Sequence, residues 1–185
     1  MTVPLTWTRI EAGVCRCGDA GRLLPVAALW WTNTPLTYDQ IGEPGHSPDT
    51  PVASVNHAQA ARIAERVGGR LPRAVEWEWM AAGPGRRRYP WGDDPWRPAL
   101  AQLAPCGELF PAPVGRRPAG ATPNGLFDVA GCVWEWTDTP VLGRGYVIRG
   151  ASYASLPVYA QCTFINAAPA ELASPGIGLR VVRPA

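Results

Sequence analysis

The sequence predicts an α+β fold of two helices, a small antiparallel sheet and much ordered loop. Three observations lead there. Two windows carry helical periodicity with capping residues at their ends. Several short runs alternate or stay apolar as strands do. And 20 Gly with 21 Pro among 185 residues force many turns. Hydrophobic residues at 46%, charged residues at 17% and a mean hydropathy of -0.08 exclude a disordered chain. A chain of this length can bury most of its apolar surface in one core, so residues 1–185 are expected to form a single domain.

Taken in order, Leu5 to Ile10 alternates as a strand, and Val26 to Trp31 is an apolar strand-like run. Residues 34–52 hold Pro35, Gly42, Pro44, Gly45, Pro48 and Pro51, which predicts a loop with one helical turn near Tyr38-Asp39-Gln40. The first helix covers Val55 to Val67. Asn56 is its N-cap, Ala60, Ile63, Ala64 and Val67 form its apolar face, and Gly68-Gly69 ends it. A second helix starts in Arg70 to Ala82 with Pro72 near its first turn; Trp77, Met80 and Ala81 share a face, and Gly83 closes it. Residues 84–123 are rich in Pro, Gly and Arg, an irregular stretch long enough to need packing or function to organise it. Short strands are expected at Val133 to Thr137, Tyr146 to Arg149 and Leu179 to Arg183.

Charge and cysteine usage exclude several functions. A net charge of +2 with scattered basic residues leaves no footprint for nucleic acid, and Arg86-Arg87-Arg88 reads as a solvated loop. All 17 basic residues are Arg, which suits a GC-rich genome and is also met in some thermophiles. No apolar run approaches the ~18 residues a membrane span needs, so no membrane insertion is expected. No secretory signal is visible at the amino terminus, and the location stays open between cytoplasm, cell surface and phage particle. Of the five cysteines, Cys15 and Cys17 stand too close for a usual zinc knuckle or redox pair. With only His46 and His57 beside them, zinc is not expected.

The clusters that could carry chemistry are Glu76-Trp77-Glu78-Trp79 and Trp134-Glu135-Trp136. A carboxyl in an apolar pocket can serve as a general acid. The favoured reading is structural: the indoles supply buried faces, and Arg149 and Arg180 pair the glutamates. Asp93, Asp94, Asn124 and Asp128 offer oxygen donors for a structural calcium ion, but without an acidic run of defined spacing turn chemistry and capping are the favoured reading. No other cofactor and no other metal is expected.

Several ordered blocks carry a resemblance. They are Arg70-Leu71-Pro72 with Glu76 to Trp79, Tyr89-Pro90-Trp91-Gly92-Asp93, Asn124 to Trp136, Val147 to Tyr153 and Gly176 to Val182. Together they resemble the formylglycine-generating-enzyme (sulfatase-modifying) branch of the C-type lectin fold, and that resemblance implies its architecture. In those enzymes two cysteines shortly after an Arg-Gly-Gly-Ser-like block hold copper and activate oxygen, a task for soft thiolates. The corresponding positions are Ser155 and Ala160, with Cys162 two residues further on. The sulfoxide synthases of ergothioneine biosynthesis share the fold but use an iron site of three histidines and a preceding helical domain, neither visible in this sequence. The chain is therefore expected not to be an enzyme.

The segment that replaces the catalytic site, Tyr153 to Ser174, has no basic residue and ends near the carboxyl terminus. In that layout it resembles the variable proteins of diversity-generating retroelements, which mutate a C-terminal segment of this fold through adenines in a template. The resemblance implies a hypervariable ligand-binding segment at about 151–174. Its variable positions would be Tyr153, Ala154, Ser155, Val158, Tyr159, Phe164, Ile165, Asn166, Leu172 and Ser174. Gln161 and Glu171 do not fit a diversified Asn codon and are expected to be fixed, as are Pro157, Ala160, Cys162, Ala167, Ala168 and Pro169. Position 151 is Ala where the resembled proteins have Gly, and Leu179 replaces their usual Phe. Phe164, Ile165 and Leu172 could each be core; as a set they are read as a partly exposed face. The expected function is non-enzymatic binding of a protein or other macromolecule. The alternatives are an oxidoreductase acting around Cys162 and a non-diversified accessory domain.

Overall fold

A computed structural model describes residues 3–43, 47 and 49–185. His46 and part of the predicted 34–52 loop lie outside the described residues. The first sheet has the order β1-β4-β9, from β1 (Trp7–Ile10), β4 (Leu29–Thr32) and β9 (Val182–Pro184), and joins the two ends of the chain with antiparallel pairing. Between β1 and β4 a hairpin, β2 (Gly13–Cys17) and β3 (Arg22–Val26), forms a sheet of its own. The third sheet has the order β7-β6-β5-β8, from β5 (Trp134–Val141), β6 (Gly145–Arg149), β7 (Asn166–Pro169) and β8 (Ile177–Gly178).

The expected α+β architecture is present, with its mostly antiparallel strands divided among three sheets; in the third, β8 runs parallel to β5, through the pairs Trp134–Ile177 and Glu135–Gly178. After β7 pairs antiparallel to β6, the chain crosses to the far edge of β5 and runs there in the same sense as β7.

The helices form where local signals place them. α1 (Tyr38–Ile41) is the predicted single turn, closed by a Thr37/Gln40 capping box and Gly42 at φ 73°. α2 (His57–Arg66) starts at Asn56, whose side chain accepts from the Gln59 amide while Gln59 reaches back. Ala60 and Ala64 are its fully buried residues, with Ile63 and Val67 packed at the margin. α3 (Ala74–Ala82) begins after Pro72, which precedes the N-cap rather than opening the first turn. Trp77, Met80 and Ala81 face Ile10, Trp31, Leu126 and Val129 in one cluster of the core.

Three glutamates are taken into the interior and each is paired. Glu78 meets Arg149 at 2.6 Å, and Glu135 meets Arg180 at 3.0 Å while accepting from the Trp77 indole at 2.7 Å. Arg149 and Arg180 were the expected partners. Glu76 instead takes Arg70 and Arg73, at 2.8 and 2.9 Å. Burial pushes its carboxyl up, but the hydrogen bonds from these two arginines outweigh that and leave it below the usual range. Such pairs cost desolvation and return it only through close geometry, which fits a scaffold role for the Glu/Trp clusters. They fasten long loops in a molecule with little regular structure.

Candidate functional site

The segment after β6 is suspended from the framework by its main chain. Gly150, at φ 94°, turns it away from the strand where a Cβ would stand 2.6 Å from the Val129 carbonyl. Its carbonyl accepts from Gly131 N–H, and Tyr153 N–H donates to Cys132. Arg149 then acts as the central clamp. Its guanidinium donates to the carbonyls of Cys162 at 2.7 Å and Phe164 at 2.8 Å while holding Glu78, and it is wholly buried. Further on, β7 pairs with β6, the first amide of α2 donates from His57 to Ala170, and Ser54 N–H donates to Ser174. Backbone groups satisfied at this many points leave the side chains as the free variable.

Nine of the ten candidate positions reach the surface. Ala154, Val158, Tyr159, Ile165, Asn166 and Leu172 are exposed, and Tyr153, Phe164 and Ser174 are half-buried. Phe164 stacks obliquely between Tyr159, at 4.9 Å, and Trp134, at 6.3 Å, so the exposed ring is anchored to a core one. Val158 and Ile165 are about half exposed, at 50% and 51%, far from the state of core residues. The segment's only charge is the exposed Glu171, so the face carries a single negative charge on a largely apolar surface.

Ser155 is the correction among the ten. It is buried, and its hydroxyl accepts from the Ser152 amide at 3.0 Å and shares a hydrogen bond with the Ser152 hydroxyl. Sequence reasoning had no signal for this, since a serine serves turn and surface alike. It also passed over Leu156, which is 55% exposed ahead of the Pro157–Ala160 turn, and Leu109 and Phe110, exposed in a loop that joins the segment through Ala104 N–H to Ser155. A bulky apolar pair among Gly107, Pro111 and Pro113 was the available clue.

Of the expected enzyme positions, Ser155 and Ala160 are both buried and neither offers a thiol. Cys162 is fully enclosed, and burial pushes its thiol up to about 12 despite Arg149 and Arg87 nearby. Of the oxygen donors proposed for calcium, Asp93 accepts from Arg88 N–H and Asp128 from Gly115 N–H. Asp93, Asp94 and Asp128 do not converge, and the one group of three His, Cys, Asp or Glu within metal-binding range among the described residues is Cys15, Cys17 and Glu78.

The sulfatase-modifying factor enzyme 1-like domain matches residues 26–185. The chain belongs to that family. Within it, a hercynine oxygenase of Mycolicibacterium thermoresistibile is 48% identical over 99 residues, covering 51% of this chain and 22% of that protein. The formylglycine-generating enzyme of Streptomyces coelicolor is 33% identical over 166 residues, 68% of this chain and 51% of its own length. The chain thus spans about half, or less, of these relatives. Among solved structures, Treponema denticola variable protein 1 superposes with a TM-score of 0.83 at 20% identity, covering 99% of this chain and 96% of that one. The Major Tropism Determinant U1 variant superposes at 0.59 and 14% identity, over 92% of this chain and 55% of its own. These likenesses establish the fold, the formylglycine-generating-enzyme type of the C-type lectin architecture. Among the described residues no helix is long and apolar enough to cross a membrane.

Proposed function

We propose that this chain is a non-enzymatic binding protein whose recognition face is the 151–174 segment, varied at its exposed positions by a diversity-generating retroelement. One observation carries the reading: nine of the ten candidate positions reach solvent from a main chain held by the framework. That is the layout of a paratope, in which rigid aromatic anchors such as Tyr159 and Phe164 meet a ligand at low entropic cost. Two structural neighbours whose names describe a variable protein and a tropism determinant support it. The ligand is a protein or other macromolecule, because the face is open and largely apolar, with Glu171 its single charge. Ser155 and Ala160 offer no thiol to pair with the enclosed Cys162, and copper oxidase chemistry uses a thiolate pair, which favours binding over oxidase chemistry.

The test is to sequence the DNA around the gene. A near-copy of the stretch encoding 147–182, beside a reverse transcriptase gene and with adenines at the mismatched positions, is the expected result. Sibling copies that keep the same residues at the nine positions would overturn diversification. A second reading then gains ground. The 48% identity to a hercynine oxygenase favours a non-diversified accessory domain of the enzyme family, with the same face binding one fixed partner.

A further inference from the structure

Away from the recognition face, a dithiol pair and a carboxylate meet where the β2–β3 hairpin packs on α3. Cys15 and Cys17 are alternate residues of β2, so the pleat sends both side chains to one face. Glu78 comes to them from α3, and Cys15 Sγ, Cys17 Sγ and a Glu78 oxygen all lie within 4.8 Å of one another. For a tetrahedral ion with bonds of ~2.3 Å to sulfur and ~2.1 Å to oxygen, the sulfur–oxygen edge is about 3.6 Å and the sulfur–sulfur edge about 3.8 Å. The Cys17 Sγ to Glu78 Oε2 distance is already 3.6 Å. Shifts of about an ångström at most would bring the remaining edges in.

We infer that Cys15, Cys17 and Glu78 form a three-ligand site for a thiophilic dication of the zinc class. Charge selects the ion: two thiolates and a carboxylate carry −3, Arg149 beside them +1, and a dication brings the sum to zero, where copper(I) would leave −1. The mixed sulfur and oxygen set suits zinc, a borderline ion, better than the softer copper(I). The carboxylate is held ready, since Oε1 accepts from Gly18 N–H at 2.7 Å and Oε2 from Arg149 at 2.6 Å. A disulfide is a worse use of the pair. Alternate strand residues stand ~6.6 Å apart with parallel side chains, whereas a disulfide wants its Cβ atoms about 3.8 Å apart. A surface cavity of about 510 Å³, lined by Val14, Cys15, Arg16, Leu23, Gly83 and Arg86, opens the Cys15 side of the site to the surface.

The site also reaches the recognition face through one side chain. Glu78 pairs with Arg149, which carries the carbonyls of Cys162 and Phe164. An ion that fixes Glu78 therefore braces the segment from below.

The test uses the reduced, metal-stripped full chain titrated with cobalt(II) and then zinc(II). One equivalent of cobalt with a thiolate charge-transfer band, displaced by zinc, is expected. Zinc at a hundredfold excess over Kd should raise the melting temperature by roughly 5–10 °C. Cys17→Ser should lose both effects, and Cys106→Ser, the other half-buried thiol, should keep them. X-ray absorption on the wild-type zinc form needs no variant and should count two sulfur neighbours. No charge-transfer band from the reduced chain, a band that survives Cys17→Ser, or a count of zero or four sulfurs would overturn the site.

Discussion

At the scale of single residues, Ala151 shows how closely opposed terms can balance. It sits at φ 68°, in the left-handed region, directly after Gly150 at φ 94°, and its methyl group is fully buried. Left-handed backbone costs an L-residue roughly 1–2 kcal/mol, which Ala151→Gly would relieve. Against that stand a gain of about 0.4–1 kcal/mol in unfolded-chain entropy and about 0.8 kcal/mol for a lost buried methyl. The terms nearly cancel, so Ala151→Gly should change unfolding free energy by less than about 1 kcal/mol in urea titrations. Ala151→Val adds a branched side chain to the same strained position in a packed core, and should cost about 2 kcal/mol or more. A Gly variant that gains well over 1 kcal/mol would mean the methyl contributes little packing there.

Elements differ in how local their determinants are, and this decides which were legible in the sequence. α2 was readable because Asn56, its apolar face and Gly68-Gly69 all lie within the helix or beside it. Asn56→Ala should cost about 1 kcal/mol by loss of the cap, measured as a lowered urea midpoint with an unchanged slope. Because the first α2 amide also holds Ala170, hydrogen exchange at that amide should quicken in the same variant. β7 was not readable: Asn-Ala-Ala-Pro has poor strand propensity and pairs only because β6 presents an edge to it. The β2–β3 hairpin hid for a similar reason, its Cys and Arg residues alternating without a strong apolar signal. The long apolar run at 26–31 was seen, but it is broken at Ala27-Ala28 into the ends of two strands in different sheets.

For the molecule as a whole, the parts that escaped sequence reading are those assembled across long separations. Arginine partners for the buried glutamates were foreseeable from charge balance, whereas Glu78 beside Cys17, 61 residues away, was not. His57 belongs to this class and makes stability depend on pH. It opens α2, stacks on Tyr146 of β6 at 3.4 Å, meets Trp136 of β5 edge-on at 5.6 Å, and its Nε2 lies 3.1 Å from the Thr137 carbonyl. Burial lowers its pKa below the ordinary 6.5, against the opposing pull of that carbonyl and Asp138. In the window beneath about 6.5 the unfolded chain therefore binds the proton more readily than the folded one, and unfolding free energy must rise with pH there. The contribution is complete above about 6.5 and is lost as pH falls toward the depressed folded value. Glu76, with a carboxyl lowered from 4.5, adds a loss of the same sign only at more acid pH. Melting temperature should thus fall between about pH 7 and about pH 5, and the fall should be shallower in His57→Phe, which keeps an aromatic ring against Tyr146 and Trp136 but cannot titrate. Parallel curves for the two proteins would assign the acid loss to other groups, since Asp128, raised by burial, pulls in the opposite direction and is common to both.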